Sequence, residues 1–275
     1  MRVVLVGLGL IGGSIALALR RSNPNLEIIG VDQGSVVRSE SCWGLCTRVH
    51  DVETLSPSST ELSNAGLIVL AAPVRAIKTS IANWLGYGVP VTDCGSTKRG
   101  IVESSRTSPF RDWFLPGHPM AGRERGGLSS ADPDLFRGRP WIVCPESVRV
   151  EAIEAGRWLV ATLGAIWTEM APAEHDNAVA LSSHVPQVLA SWLAANANGR
   201  TRQAAGPAFS DMTRIAGGAE TIWSDIFATN AHAIADILLD ASNDLSMIAD
   251  ELNQEPPQLR RVLRLLARAR ALSTR

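Results

Sequence analysis

Short apolar runs alternate with segments of helical spacing over residues 1–170 of the chain. The apolar runs predict strands at Arg2–Val6, Glu27–Val31, Leu67–Ala71, Val89–Thr92, Trp113–Leu115, Trp141–Cys144 and Ala165–Met170. Between them, apolar residues recur at helical spacing in Gly12–Arg21, Ala76–Trp84, Gly100–Ser105 and Arg149–Leu163. Strands joined by crossover helices predict a mostly parallel, doubly wound sheet that is covered on both faces.

The pattern changes after Pro172. No segment of residues 173–275 shows the alternation of a strand, and helical spacing recurs at Ala178–Asn196, Ala231–Leu252 and Pro257–Ala271. We therefore expect two domains, an α/β domain over residues 1–170 and an all-α domain over residues 171–275. A chain of 275 residues is long enough to form two such cores.

Charge and hydropathy exclude several classes of partner. The 26 basic side chains are balanced by 27 acidic ones, so no net field favours nucleic acid or an anionic membrane, and a small-molecule ligand is expected. No run reaches the roughly 18 consecutive apolar residues of a membrane span. The apolar N-terminus, MRVVLVGLGLIGGS, carries glycines and lacks the cleavage site of a signal peptide, so we expect a cytoplasmic protein.

The four cysteines do not form a metal-binding pattern. Cys42 and Cys46 are close together, but Cys94 and Cys144 lie far apart and supply no second pair. Structural zinc sites usually combine two such pairs. We therefore expect no metal site and ordinary reduced thiols.

A glycine-rich turn directly follows the first predicted strand. In GLGLIGGS, Gly7 permits a tight turn, Gly9 lets the backbone approach a pyrophosphate, and Gly12 lets the next helix pack closely on the strand. The N–H groups that open this helix, near Leu10 and Ile11, can bind phosphate. Because a strand precedes the motif and a helix follows it, the motif predicts a Rossmann-like dinucleotide-binding domain.

Asp32 ends the second predicted strand, at the distance from Gly12 where an acid accepts hydrogen bonds from the adenosine ribose hydroxyls. A carboxylate there repels a 2′-phosphate, so NAD is expected rather than NADP, although Arg38 could accommodate that phosphate. Two alternatives remain open from these residues alone. Asp32 could merely cap a turn, and a methyltransferase could use a similar glycine-rich turn to bind S-adenosylmethionine.

Two further segments come at the carboxyl ends of predicted strands, the edge where ligands bind in open α/β sheets. Ser96 offers a hydroxyl there, and Lys98 offers a charge near the nicotinamide end of the cofactor. Both residues could instead cap the following helix. The expected cofactor contacts are Gly7, Gly9, Leu10, Ile11, Gly12, Asp32, Ala72, Pro73 and Ser96.

The segment LPGHPMAG places His118 between glycine and proline, just after another predicted strand. The imidazole titrates near neutrality, so its neutral form can accept a proton at physiological pH. The surrounding residues alone leave three alternatives: a catalytic base, a metal ligand, or a loop histidine satisfied by backbone groups. The position after a strand predicts that His118 projects from the carboxyl edge of the sheet toward the nicotinamide.

Several motifs occur in a fixed order: GLGLIGGS, the acid of VDQ, DCGSTK, GHPMAGRERGG, SSHVP and GPAFSDMTRIAGG. In this order and at these separations they resemble the prephenate and arogenate dehydrogenase family of tyrosine biosynthesis, from Met1 to about Phe227. The resemblance implies NAD-dependent oxidative decarboxylation of prephenate to 4-hydroxyphenylpyruvate. Hydride leaves C4 of the ring for the nicotinamide, and the C1 carboxylate departs as carbon dioxide. Arogenate or an amino-substituted analogue is the alternative substrate.

The resemblance also implies roles for individual residues. His118 hydrogen-bonds the C4 hydroxyl and polarises it, and Ser96 helps to fix the same oxygen. Arg214 clamps a substrate carboxylate, for which the planar guanidinium is well suited. On local sequence alone, Arg214 could instead pair with Asp211 at the surface. The remaining expected substrate residues are His184, Gln187 and Glu124.

The chain departs from the family pattern at Gln187. Many members have Ser-His-Leu-Pro-His where this chain has SHVPQ at residues 183–187. Gln187 cannot carry charge, so recognition of the substrate side chain is expected to differ, and the choice among the candidate substrates stays open. Helical spacing places Asp176, His184 and Gln187 on one face, which Pro186 is expected to disturb. His184 could also be a core histidine.

The segment 259–270 is a basic amphipathic helix that could lie on a membrane, but with balanced overall charge we expect it to pack within the helical domain or across a dimer. Family members dimerise through this domain, so a homodimer is expected.

Two other functions are alternatives to that of this dehydrogenase. A nucleotide-binding sensor without catalysis could dispense with His118 and Arg214, which this chain retains. A 3-hydroxyacid dehydrogenase commonly has a catalytic lysine in its helical domain, and residues 171–275 contain no lysine.

Overall fold

The computed structural model describes residues 1–37, 44–55, 60–123 and 125–273. Its main sheet consists of β1 (Arg2–Val6), β2 (Glu27–Asp32), β3 (Arg48–Asp51), β4 (Leu67–Leu70), β5 (Val91–Asp93) and β6 (Phe114–Leu115). The strand order is β3-β2-β1-β4-β5-β6, and every neighbouring pair is parallel. The predicted doubly wound, Rossmann-like sheet is confirmed.

Helices cover both faces of this sheet. They are α1 (Leu10–Ser22), α2 (Gly34–Val37), α3 (Thr60–Ser63), α4 (Val74–Leu85), α5 (Arg99–Ser105) and α6 (Val150–Thr162). α1 and α6 contribute to the core on one face, and α3, α4 and α5 contribute to the core on the other. The strand order reverses between β1 and β4, which leaves a crevice at their carboxyl ends where such sheets bind ligands.

A second, three-stranded sheet contains His118. It consists of β7 (Gly117–Pro119), β8 (Pro140–Val143) and β9 (Ile166–Glu169), with β7 antiparallel and β9 parallel to β8. The sequence pattern did not reveal β7 or the edge strand β3, and it did not separate the two sheets. Pro116 follows β6 and has no N–H to continue the ladder, so the chain leaves the main sheet and His118 pairs with Ile142.

The rest of the chain is helical. It contains α7 (Pro172–Val179), a π-helical segment (Ala180–His184), α8 (Val185–Asn196), α9 (Gly199–Gln203), α10 (Pro207–Thr213), a 3₁₀ turn (Arg214–Gly217), α11 (Glu220–Thr229), α12 (Ala231–Leu252) and α13 (Arg260–Ser273). No strand occurs between residues 172 and 273 as described, so the predicted all-α second part is confirmed. Within the described ranges, every helix is too short or too polar to cross a membrane.

The helix predicted over Ala178–Asn196 is interrupted where His184 lies. Helix α7 passes into the five-residue π-helical segment, and α8 then follows. Pro186 lies in the first turn of α8 and cannot donate to a carbonyl oxygen of the preceding turn, which accounts for the local widening. His184 and Gln187, which lie on either side of Pro186, are both buried.

Candidate active site

The glycine-rich turn contains two glycines that the fold requires and one that it does not. Gly7 has a φ of +95°, and a Cβ there would lie 2.4 Å from the carbonyl oxygen of Ala71. A Cβ on Gly12 would lie 1.8 Å from the carbonyl oxygen of Gly7. A Cβ on Gly9 would have nothing within 4 Å beyond its chain neighbours and the helix backbone. Gly9 therefore keeps open a space in front of α1 that suits a bound ligand.

The N-terminus of α1 opens onto this space. Gly9 caps the helix without a side-chain hydrogen bond, and the first turn has no acidic residue. The N–H groups of Leu10, Ile11 and Gly12 precede the first intrahelical bond, which the N–H of Gly13 donates to the carbonyl oxygen of Gly9 at 2.9 Å. These N–H groups and the positive end of the helix dipole fit the pyrophosphate of a dinucleotide.

Asp32 lies at the carboxyl end of β2, next to the same turn. Its Oδ2 accepts the N–H of Leu8 at 2.6 Å, and its Oδ1 accepts the N–H of Gln33 at 2.6 Å. The carboxylate is partly exposed, so its remaining lone pairs can accept from ribose hydroxyls. Arg38 lies outside the described residues. The other expected cofactor contacts are at least partly exposed after β4 and β5: Ala72, Pro73 and Ser96.

The ammonium of Lys98, expected near the nicotinamide, is instead bound inside the protein. Lys98 has no exposed surface, and its Nζ donates to Oδ2 of Asp93 and, at 2.6 Å, to the carbonyl oxygen of Gly117. Oδ1 of Asp93 accepts the N–H of Gly117 at 2.9 Å. A Cβ on Gly117 would lie 2.9 Å from Nε1 of Trp141, so the position requires glycine. This buried ion pair therefore fixes both backbone polar groups of the residue before His118.

His118 ends a chain of hydrogen bonds that begins in α7. Its Nδ1 lies 2.8 Å from Nε2 of His175, and Nδ1 of His175 lies 2.8 Å from Oδ1 of Asp176. Asp176 also accepts the N–H groups of Lys98 and Arg99, at 2.7 and 3.0 Å, at the start of α5. His175 and Asp176 are buried, whereas His118 is partly exposed. The described residues offer Nε2 of His118 no hydrogen-bond partner, so this atom is available to a substrate.

The surroundings keep the imidazole of His118 neutral. Burial lowers the pKa of His118 well below its usual value. Electrostatic repulsion by His175, Lys98 and His184, each when it is protonated, lowers the pKa further. Burial alone would raise the pKa of Asp176, but hydrogen bonds from His175 and from two backbone N–H groups outweigh it, and the pKa is lowered. At neutral pH the site therefore holds a neutral base and an ionised carboxylate.

Asn230, which precedes α12, connects His184 to the same network. Its Nδ2 donates to the carbonyl oxygen of Asp176 at 2.7 Å and to Nδ1 of His184 at 3.2 Å. The ring of His184 meets Trp223 edge-on, with 6.2 Å between the ring centroids. Burial lowers the pKa of His184 to about 4, so this second histidine is also neutral at pH 7.

The other expected substrate residues are spread over neighbouring elements. Gln187 is buried in α8, and its Nε2 donates to Oγ of Ser191 at 3.4 Å. Arg214 is exposed at the start of a 3₁₀ turn that packs against α8. Asp211 lies in α10, which ends just before Arg214. Glu124 lies outside the described residues.

Hydrogen bonds join the two parts of the chain around this site. Asp225 in α11 accepts the N–H of Arg75 at the start of α4, at 3.1 Å. The hydroxyl of Thr97, just before α5, lies 3.0 Å from that of Thr229. With the bonds of Asp176, these contacts hold the helical part against the carboxyl edge of the main sheet. The candidate site is therefore built by both parts.

The sequence pattern did not identify His175 or Asn230, and it gave Asp176 only a place on a helix face. The available signal was a histidine beside an acid in the same helical segment as His184. Its partner His118 lies 57 positions away, which no local pattern reveals. Within the described ranges, no group of three or more His, Cys, Asp or Glu side chains could hold a metal ion.

Comparison with known proteins places this arrangement in a family. A family model described as "Prephenate dehydrogenase, nucleotide-binding domain" matches residues 15–168, and one described as "Prephenate dehydrogenase, dimerization domain" matches residues 171–265. The prephenate dehydrogenase of Bacillus subtilis (strain 168) is 30% identical over 265 residues, which cover 92% of this chain and 70% of that protein.

Two further relatives cover nearly as much or more of the chain. The cyclohexadienyl dehydrogenase of Zymomonas mobilis is 28% identical, over 86% of this chain and 83% of that protein. The crystal structure of Synechocystis arogenate dehydrogenase is 28% identical, with a TM-score of 0.78 over 99% of this chain and 100% of that chain. This chain is therefore an oxidoreductase that belongs to the prephenate dehydrogenase family.

Proposed function

We propose that this chain is an NAD-dependent dehydrogenase that converts prephenate to 4-hydroxyphenylpyruvate by oxidative decarboxylation, in tyrosine biosynthesis. The observation that carries the proposal is a neutral histidine, His118, held beside a dinucleotide-binding edge with Nε2 available. A neutral base next to such an edge fits many alcohol oxidations. Relatives named prephenate, cyclohexadienyl and arogenate dehydrogenases support a cyclohexadienol as the alcohol.

His118 is the proposed proton acceptor. When bound, NAD supplies the acceptor for the hydride that leaves C4 of the ring. Nε2 of His118 takes the proton of the C4 hydroxyl as that hydride departs, which a neutral imidazole can do at pH 7. Ser96, after β5, donates its hydroxyl to the same oxygen. Loss of the C1 carboxylate as carbon dioxide makes the ring aromatic, and this supplies the driving force.

Arg214 is the proposed cation that orients a substrate carboxylate. A guanidinium presents two parallel N–H donors that match the two oxygens of a carboxylate. The turn that carries Arg214 packs on α8, which also carries Gln187. We assign His184 to the wall of the substrate pocket, as a neutral side chain. Glu124, in the segment after His118, completes the proposed set.

Gln187 leaves arogenate as a second candidate substrate. Arogenate carries an amino group where prephenate carries a side-chain keto group. The amide of Gln187 is uncharged and can offer a carbonyl oxygen to an ammonium or an N–H to a keto oxygen. The Synechocystis relative is described as an arogenate dehydrogenase. Arogenate and an amino-substituted prephenate analogue are therefore the alternatives to be tested beside prephenate.

NAD is the proposed cofactor in preference to NADP. The pyrophosphate is assigned to the N-terminus of α1, and the ribose hydroxyls are assigned to Asp32. Asp32 already accepts two backbone N–H groups, which keeps its carboxylate in place at the end of β2. A 2′-phosphate would bring further negative charge against this carboxylate, which is unfavourable.

We propose that residues 1–170 bind the dinucleotide and that two copies associate through residues 171–275. The matched model for the helical part is described as a dimerization domain. Large apolar side chains are exposed there in the single chain, among them Trp192 (62%), Leu239 (64%) and Leu263 (57%). Burying such surface between copies is favourable. A cytoplasmic location would suit the free thiols of Cys94 and Cys144.

An absorbance assay for the reduced cofactor tests the proposal. Prephenate, arogenate and an amino-substituted analogue are each offered with NAD and with NADP. We expect turnover of prephenate with NAD, and a kcat/KM with NADP that is lower by roughly tenfold or more. A higher kcat/KM for arogenate would assign the second substrate. Equal use of NADP would overturn the role of Asp32, and no reduction with any substrate would overturn the function.

A further inference from the structure

The hydrogen bonds behind His118 determine which nitrogen of each ring carries a proton. An ionised Asp176 can only accept, so Nδ1 of His175 donates to it. When Nδ1 carries the only ring proton of His175, the other nitrogen, Nε2, has a lone pair and accepts from Nδ1 of His118 at 2.8 Å. His118 is left with its own lone pair on Nε2. The network therefore presents the proton-accepting nitrogen of His118 to the substrate.

The same network can hold a positive charge on His175 instead of on His118. Lys98 and Asp93 are already paired on the β5 side of His118, and His184 faces it from the π-helical segment. Burial makes an imidazolium unfavourable at His118 itself. His175, in α7, is buried against the carboxylate of Asp176, where a positive charge would be compensated.

We propose that His175 and Asp176 form a positioning pair that holds His118 with its lone pair on Nε2 and takes over the positive charge during the reaction. The proposal rests on the function given above. As the O–H bond of the C4 hydroxyl breaks, its proton binds Nε2 of His118, and the Nδ1 proton of His118 passes to Nε2 of His175. Hydride leaves for NAD, so no further oxidant is required. The charge then lies on His175, beside Asp176.

Two substitutions of His175 separate orientation from charge transfer. His175→Gln retains a side-chain oxygen that can accept from Nδ1 of His118, but it cannot take a proton. His175→Phe removes both capacities. We expect kcat to fall about tenfold in His175→Gln and about a hundredfold in His175→Phe. KM for the substrate and Kd for NAD should stay within about threefold of wild type.

A matched control removes a histidine elsewhere. His232 is exposed in α12, so His232→Gln should leave kcat, KM and the thermal unfolding temperature unchanged. Asp176→Asn removes the charge beside His175 but also weakens the cap of α5, so its unfolding temperature is measured together with its kinetics. His175→Gln keeps a hydrogen bond in the buried network, so this variant is expected to fold.

The pH profile of kcat/KM distinguishes this pair from a structural role. Its acid limb reports the proton acceptor of the free enzyme. Without His175 the accepted proton has to stay on His118, whose pKa burial lowers, so the limb should move to lower pH by about half a unit or more. A structural defect would lower the plateau without moving the limb.

Three results would contradict different parts of the proposal. Wild-type kcat in both His175 variants, with the acid limb unmoved, would overturn the positioning pair and leave the dehydrogenase function intact. A wild-type protein that turns over none of the candidate substrates would overturn the function itself. A lowered kcat with the limb unmoved would also count against charge transfer to His175.

Discussion

Gly9→Ala is expected to impair cofactor binding without impairing the fold. Gly9 has a φ of −81° and a ψ of −154°, which alanine adopts readily, and the added methyl meets nothing within 4 Å. The free energy of unfolding should therefore change by less than about 1 kcal/mol. The methyl would instead enter the space assigned to the pyrophosphate. Overlap of this kind costs about 1–3 kcal/mol, which raises Kd for NAD roughly 5- to 150-fold.

Gly12→Ala and Gly199→Ala are the matched comparisons. A Cβ on Gly12 would lie 1.8 Å from the carbonyl oxygen of Gly7, so this variant should lose about 3 kcal/mol of stability or more. Gly199 lies in α9, and a Cβ there would meet nothing within 4 Å, so Gly199→Ala should change neither the free energy of unfolding nor the Kd for NAD. Urea unfolding followed by tryptophan fluorescence measures stability, and calorimetric titration measures NAD binding. Wild-type NAD affinity in Gly9→Ala would refute the assignment of the pyrophosphate.

Three further outcomes are expected. Arg214→Ala should raise KM for the substrate roughly tenfold or more with little change in Kd for NAD, and an unchanged KM in steady-state kinetics would remove the carboxylate clamp. Lys98→Met leaves the buried Asp93 uncompensated and should cost about 3–5 kcal/mol in urea unfolding, whereas a loss below about 1 kcal/mol would show that the pair is dispensable. Because the pKa of His184 falls to about 4 on folding, the unfolded chain binds a proton below pH 6.5 that the folded chain does not, and stability decreases as pH falls toward 4. This histidine should account for about 2 kcal/mol between pH 7 and pH 5, and the pH dependence of urea unfolding should flatten in His184→Gln.

The parts of the fold that follow from short-range patterns were predictable. The buried central strands read as near-continuous apolar runs because both faces of the sheet are covered. The glycine spacing and the following helix predicted the strand-turn-helix unit, in which Gly7 and Gly12 each meet a separate steric requirement. Strand β3 was missed because it is a polar edge strand, RVHD, and β7 was missed because three residues carry too little pattern.

The candidate site was only partly predictable because its key contacts join distant segments. The sequence proposes His118 as the base, but the position of this side chain depends on Asp93 and on a partner in α7, and these contacts follow from the tertiary structure. The pattern placed His118 at the edge of the main sheet, whereas Pro116 redirects the chain into the second sheet. The assignment of Lys98 to the cofactor edge failed for a similar reason, since burial beside Asp93 cannot be seen in local sequence.

The central claim is that His118 accepts the proton of the C4 hydroxyl during hydride transfer to NAD. The most direct test is the rate of NADH formation by His118→Asn with saturating NAD and the substrate that the wild-type protein prefers. We predict that kcat falls about a hundredfold or more, while Kd for NAD stays near the wild-type value. Turnover within about threefold of wild type would contradict the account.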